Sequence, residues 1–216
     1  MLAAETPELP QNILDKVFRL DDVNHRLRWH LDANLLSELP SSQARREAIN
    51  RVREALIKST GIVGAGRTGN AMRTLSACIP VDFRETESPR AMEDDATARE
   101  RGKKFWTNIY ARNPAFDPEA SVRASPDYAF VVRDVLYARV FSYDGILDDL
   151  TTGFVMVSAL YGLDCQNQLQ HHMKGMLWNG ATRQDLIDLQ TLCLGIAESL
   201  NVKFRNGPAP IPVLPK

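Results

Sequence analysis

Hydrophobic positions recur at helical intervals along most of this chain. Ile13, Leu14, Val17, Phe18 and Leu20, then Leu27, Leu31 and Leu35, predict helix over 13–39, stopped by Pro40. Ser41 or Ser42 is placed to cap a further helix, QARREAINRVREALIKS, with Ile49, Val52, Leu56 and Ile57 on one face and charges opposite. A Gly-rich bend then leads into a helix that starts within GNAMRTL. Residues 81–99 are charged and nearly free of apolar side chains, which predicts an exposed linker. RGKKFWTNIYAR reads as a short helix with Phe105, Trp106, Ile109 and Tyr110 turned inward. After a loop with three prolines, DYAFVVRDVLYARVF predicts a strongly apolar helix from Asp127, although Val131, Val132 and Val135 permit a strand locally.

The densest pattern lies in 148–200. Phe154, Val155, Met156, Val157, Ala159 and Leu160 make a helix that is apolar nearly all round, hence buried against several neighbours and ended by Gly162. Asp164 is placed to cap the next helix, CQNQLQHHMKGMLW. On it Cys165, Gln168 and His172 fall at i, i+3 and i+7 and share a face. His171 is rotated about 100° from His172, so only one of the two is expected to point into a given pocket. Asn179 and Gly180 form a left-handed stop, and Thr182 with Asp185 forms a capping box. Leu186, Ile187, Leu189, Leu192, Leu194 and Ile196 are expected to bury the last helix. Only helical periods persist, so the expected fold is all-α, built of packed helix hairpins. The charged stretch divides it into an N-terminal helical half (1–80), a linker (81–99) and a C-terminal helical domain (100–216).

Composition narrows the function classes. With 216 residues, 44% of them apolar, and a formal charge of −1, the chain suits one globular domain or two halves sharing a core. The balanced charge implies neither nucleic acid nor a basic membrane face as partner. No apolar run reaches about 18 residues, so no membrane span is expected. The start, MLAAETPELPQN, lacks a signal-peptide pattern, and PVLPK at the end matches no peroxisomal or reticulum-retention signal. Cys78, Cys165 and Cys193 are an odd number without a close pair, which argues against a disulfide framework or zinc knuckle. The expected compartment is a reducing cytoplasm.

Gly64, Gly66 and Gly69 match the dinucleotide fingerprint G-x-G-x-x-G. That motif needs a preceding strand and a βαβ unit. Here an amphipathic helix precedes it and only Gly61, Ile62 and Val63 remain for a strand, so the glycines read as a bend.

The segment LQHHMKGMLWNGATRQDLIDL, with the apolar helix before it, resembles the carboxymuconolactone decarboxylase family, which includes the alkylhydroperoxidase D proteins. His172 takes the family histidine position, Asn179, Gly180 and Thr182 match its turn, and SYDGILDD looks like the segment before the apolar helix. The likeness covers roughly 100–200. REALIKSTGIVGAGRTGNAMRTL is similar to a degenerate second copy of the family's closing helix, with Arg67, Asn70 and Ala71 at matching positions. The resemblance implies an alkylhydroperoxidase D-like helical bundle working as a homo-oligomer (a dimer, trimer or hexamer), with a pocket between helices near a subunit boundary. It implies chemistry on a small cyclic carboxylated metabolite without cofactor or metal, with His172 moving the proton.

Departures from the family shape this expectation. Gln168 stands where the peroxidase branch has its second, resolving cysteine, which argues against turnover as a thiol peroxidase. Arg139, Val140 and Phe141 replace the decarboxylase branch's Glu-x-Trp, and Thr151 and Thr152 stand where it has an arginine. The expectation is therefore a lyase or isomerase of divergent substrate, suited to secondary metabolism: decarboxylation, lactone opening, isomerisation or cyclisation. His172 and His171 are the candidate acid and base, and Cys165, Gln168, Asp148, Tyr143 and Arg139 the candidate substrate contacts. The rivals are a binding or scaffolding protein that lost catalysis, and a redox protein using Cys165 alone.

Overall fold

The computed structural model describes residues 39, 41–114 and 116–214. The helix expected over 13–39 falls outside them but for Leu39. Among the described residues the fold is all-α. Helix α1 (Ser42–Val63) starts where the Ser41 hydroxyl accepts from the Ala44 N–H, 3.1 Å away. It continues through Gly61, Ile62 and Val63, so no strand precedes the glycines and the dinucleotide geometry is not formed. Gly64, at φ 88°, turns the chain into α2 (Ala65–Cys78). Ile49, Leu75 and Ile79 lock this hairpin together.

The charged stretch is mostly exposed, as expected, and is also tied to its neighbours. It holds a 3₁₀ turn (Val81–Phe83) and α3 (Pro89–Met92), and its last residues, from Asp95, already belong to α4 (Asp95–Tyr110). Arg90 ion-pairs with the buried Glu54 of α1, and Glu93 pairs with Arg101 of α4. Arg139 clasps the Arg90 and Glu93 carbonyls at 3.0 and 2.9 Å. Ion pairs leave no apolar period in a sequence, which is why this stretch reads as solvated.

After α5 (Ala120–Ala124), α6 (Pro126–Phe130) runs straight into a π-helix, Val131–Phe141. The Ser142 N–H reaches back five residues to the Tyr137 carbonyl at 3.1 Å. This segment packs on α4 so closely that Gly102 lies against the Ala138 backbone. A methyl at Gly102 would sit 2.5 Å from Ala138 Cα and 2.7 Å from its nitrogen. Gly102→Ala is therefore expected to destabilise by about 1–3 kcal/mol. Gly66→Ala, with open space around it, is expected to gain roughly 0.5–1 kcal/mol. Paired urea denaturation curves check both; equal effects would remove the close helix contact.

Helix α7 (Asp149–Gly162) is the central element, followed by α8 (Gln166–Trp178) and α9 (Arg183–Ser199). Val157, Leu160, Leu169, Met173, Met176 and Leu186 form their shared core. The Thr182–Asp185 capping box opens α9 as expected, and Gly180 takes φ 104°. Asp164 does not cap α8: it adopts φ 52°, and its carboxylate accepts from the Arg205 N–H at 2.6 Å, leaving Cys165 at the cap position. Leu192 and Ile196, expected inside, are 57% and 37% exposed and form an apolar stripe on α9.

Candidate functional site

A cavity of about 620 Å³ lies between α4, the π-helix, α7 and α8. Trp106, Tyr110, Phe116, Tyr137 and Phe141 give it aromatic walls, and Met156 and Leu160 of α7 give it an aliphatic floor. Phe116 stacks on Tyr110 at 4.5 Å between centroids and meets Trp106 edge-on at 5.1 Å. Tyr128 and Leu163, on its lining, are 58% and 39% exposed, which marks the open edge.

Both histidines line this cavity, contrary to the expectation that only one would. The wall wraps around α8, and the Tyr110 ring meets His172 at 5.6 Å and His171 at 6.0 Å. His172 is buried, and its Nε2 lies 3.0 Å from the Tyr110 hydroxyl. That hydroxyl lies 2.8 Å from the Tyr137 hydroxyl. One orientation uses every hydroxyl hydrogen: Tyr137 donates to Tyr110, and Tyr110 donates to His172 Nε2. The proton of neutral His172 then resides on Nδ1.

Burial sets the charge states. It lowers the His172 pKa to about 4, with His171 adding a smaller push in the same direction. It raises Tyr110 to about 12, opposed by the hydrogen bond from Tyr137. Tyr137 is also raised, again chiefly by burial. At neutral pH the series is uncharged throughout. His171 is half-buried, is lowered by burial and by Lys174, and takes a hydrogen bond at Nδ1 from the Asn113 amide, 2.8 Å away. Its other ring nitrogen is then the protonated one. His172 also borders a second cavity of about 20 Å³, lined among others by Asn108 and Asp149, which has room for one water.

Of the residues proposed from sequence, the structure brings Cys165, Gln168, His171 and His172 onto one wall. Asp148, Tyr143 and Arg139 are not part of it. Asp148 caps α7, accepting the Thr151 N–H at 2.7 Å, and hydrogen bonds from Thr151 hold its carboxyl below the usual range. The Tyr143 ring carries the Arg90 guanidinium at 4.2 Å and that of Arg101 at 5.6 Å. Arg139 pairs with Asp95 in the clasp over the charged stretch. Cys193 is partly buried and packs beside the central cluster, and burial pushes its thiol up. Sequence reasoning missed Tyr137 and Arg133 as site residues and took Tyr110 only as core. A buried tyrosine hydroxyl needs a partner, and that signal was open to use.

The fold and cavity define an all-helical protein with an aromatic pocket built around a buried Tyr-Tyr-His series. The chain is 30% identical over 156 residues to Peroxisomal protein 2 of Schizosaccharomyces pombe, spanning 72% of this chain and 73% of that protein. It therefore belongs to the family of Peroxisomal protein 2. It is also 22% identical over 243 residues to Peroxisomal protein 2 of Saccharomyces cerevisiae, spanning 94% and 86% of the two chains. No family model and no solved structure matches it. None of the described helices is long and apolar enough to cross a membrane.

Proposed function

We propose that this chain is a cofactor-independent enzyme, a lyase or isomerase acting on a small cyclic carboxylated metabolite, of the carboxymuconolactone decarboxylase-like kind. The observation that carries this reading is the hydrogen-bonded series Tyr137–Tyr110–His172 on the wall of an aromatic cavity. In the step we envisage, a substrate C–H or O–H gives its proton to the Tyr110 oxygen as the Tyr110 hydrogen passes to His172 Nε2. Tyr110 remains a phenol, the substrate becomes an anion and His172 becomes an imidazolium. Reversal at another substrate atom completes an isomerisation without external acid or base.

A second reading has support in the same site. A histidine held at a pKa of about 4 resists taking a proton, which suits a pocket that binds without catalysing. Negative charge developing on the substrate beside the imidazole is what makes the catalytic reading workable. The test is metabolite profiling of a strain lacking this gene, complemented with wild type or with His172→Gln. An intermediate that wild type clears and the folded variant does not supports the enzyme. Equal clearance by both sinks it and leaves the binding protein.

Self-association belongs to this proposal, supported by the exposed Leu192 and Ile196. The relatives' names make the peroxisome the compartment to test, in place of the cytoplasm expected from sequence. A fluorescent fusion imaged against a peroxisomal marker decides between them.

A further inference from the structure

Arg133, on the first turns of the π-helix, lines the cavity. Its guanidinium lies 5.1 Å over the Trp106 ring, a cation–π contact with the aromatic wall. Nη2 donates to the Pro118 carbonyl and to the Ser121 hydroxyl, the latter at 3.2 Å. Nε is buried and has no hydrogen-bond partner. Among the described residues no carboxylate pairs with Arg133. Asp117, the acidic residue on the same lining, is already taken by Arg123. Arg133 thus brings a half-buried positive charge to an apolar wall, with one buried N–H left over and, among the described residues, no paired carboxylate. An anion accepting from that N–H satisfies it.

We infer that Arg133, with Ser121 beside it, is the anion-binding end of this cavity and receives the carboxylate of a planar, ring-bearing monoanion. A guanidinium offers a flat fork that matches a carboxylate better than a point charge does. A lone cation suits one negative charge rather than the two of a phosphate monoester. The aromatic walls, from Trp106 through Phe116 and Tyr110, suit a flat ring lying between Arg133 and the histidines. This gives the carboxylate of the proposed enzyme's substrate a place in the cavity and rests on that reading for turnover, though not for binding. It also moves the carboxylate contact from Arg139, which is engaged elsewhere, to Arg133.

The test titrates the full chain with benzoate and, separately, with the neutral isostere benzamide, following the Trp106 indole N–H resonance by NMR. Benzoate is expected to shift that signal saturably and to bind at least about tenfold more tightly than benzamide, the scale of one charge-assisted contact. Arg133→Gln is expected to remove this preference while benzamide binding stays within about twofold. Should Arg133→Gln lower the thermal unfolding midpoint, Arg133→Lys carries the test. It keeps the charge without the fork, so it should still prefer benzoate but bind it less tightly than wild type. Equal binding of the two probes, no saturable response to benzoate, or wild-type benzoate affinity in Arg133→Gln overturns the assignment. Phosphate displacing benzoate from wild type more effectively than acetate does would overturn the carboxylate preference. His172→Gln should still bind benzoate. If it does, and also clears the metabolite, the catalytic reading falls while the anion site stands.

Discussion

Lys58→Ala is expected to cost about 3–5 kcal/mol of folding stability, the scale of removing one partner from a buried charged cluster. The Lys58 side chain is fully buried on α1, and its Nζ donates to the Phe141 carbonyl at 2.5 Å and the Tyr143 carbonyl at 2.6 Å. Glu54, one turn earlier and equally buried, lies 3.6 Å from the same nitrogen and also pairs with Arg90. Burial lowers the Lys58 pKa to about 8, and the Glu54 carboxylate works against that shift. The ammonium is thus held in place mainly by what it ties together: helix α1, the end of the π-helix and the charged stretch. Truncation strands two carbonyl oxygens where the π-helix stops and no further helical N–H reaches them. Lys58→Met restores the volume but not the donors and is expected to recover only part of the loss. Urea unfolding followed by circular dichroism measures both variants. A loss below about 1 kcal/mol for Lys58→Ala would mean the clamp is dispensable.

This clamp shows what sequence could and could not tell. The helices were legible because their apolar residues repeat at helical spacing, and so was the capping box of Thr182 and Asp185, a local pattern. The shared wall of Cys165, Gln168 and His172 also followed from helical spacing alone. The π-helix was not legible: Val131–Phe141 reads as an ordinary apolar helix, and its close backbone approach to Gly102 leaves no local signal in the sequence. Nor was the role of residues 81–99. Arg90 and Glu93 look solvated in one dimension and find their partners on α1 and α4 only after folding. Arg139 and Arg133 stand six positions apart on one element, yet the first is spent on the Asp95 clasp and the second faces the cavity. Spacing alone does not separate two such arginines; the Pro118 carbonyl and the Ser121 hydroxyl at the start of α5 do.

His172→Gln is expected to show two effects that a merely structural histidine would not combine. The first is on turnover of the accumulated metabolite, expected to fall about 10²–10⁴-fold, the usual worth of a positioned acid or base. The second is on stability against pH. In the unfolded chain His172 titrates near 6.5, and in the fold near 4. Between those values the unfolded state binds the extra proton, so stability falls as the pH is lowered. Across this window His172 alone removes about 3 kcal/mol, and above pH 6.5 it removes nothing. The variant lacks this titration, so the wild-type minus variant difference in unfolding free energy should drop by that amount from pH 7 to pH 4. Carboxylates titrate in the same range but largely cancel in the difference. The same shift also shapes the rate profile: because the imidazole stays neutral well below pH 6.5, turnover should not show a histidine inflection near that value. A clear loss of activity between pH 7 and 6, absent from the stability curve, would place the proton on another group. His171, less buried and hydrogen-bonded to Asn113, is then the residue to change next.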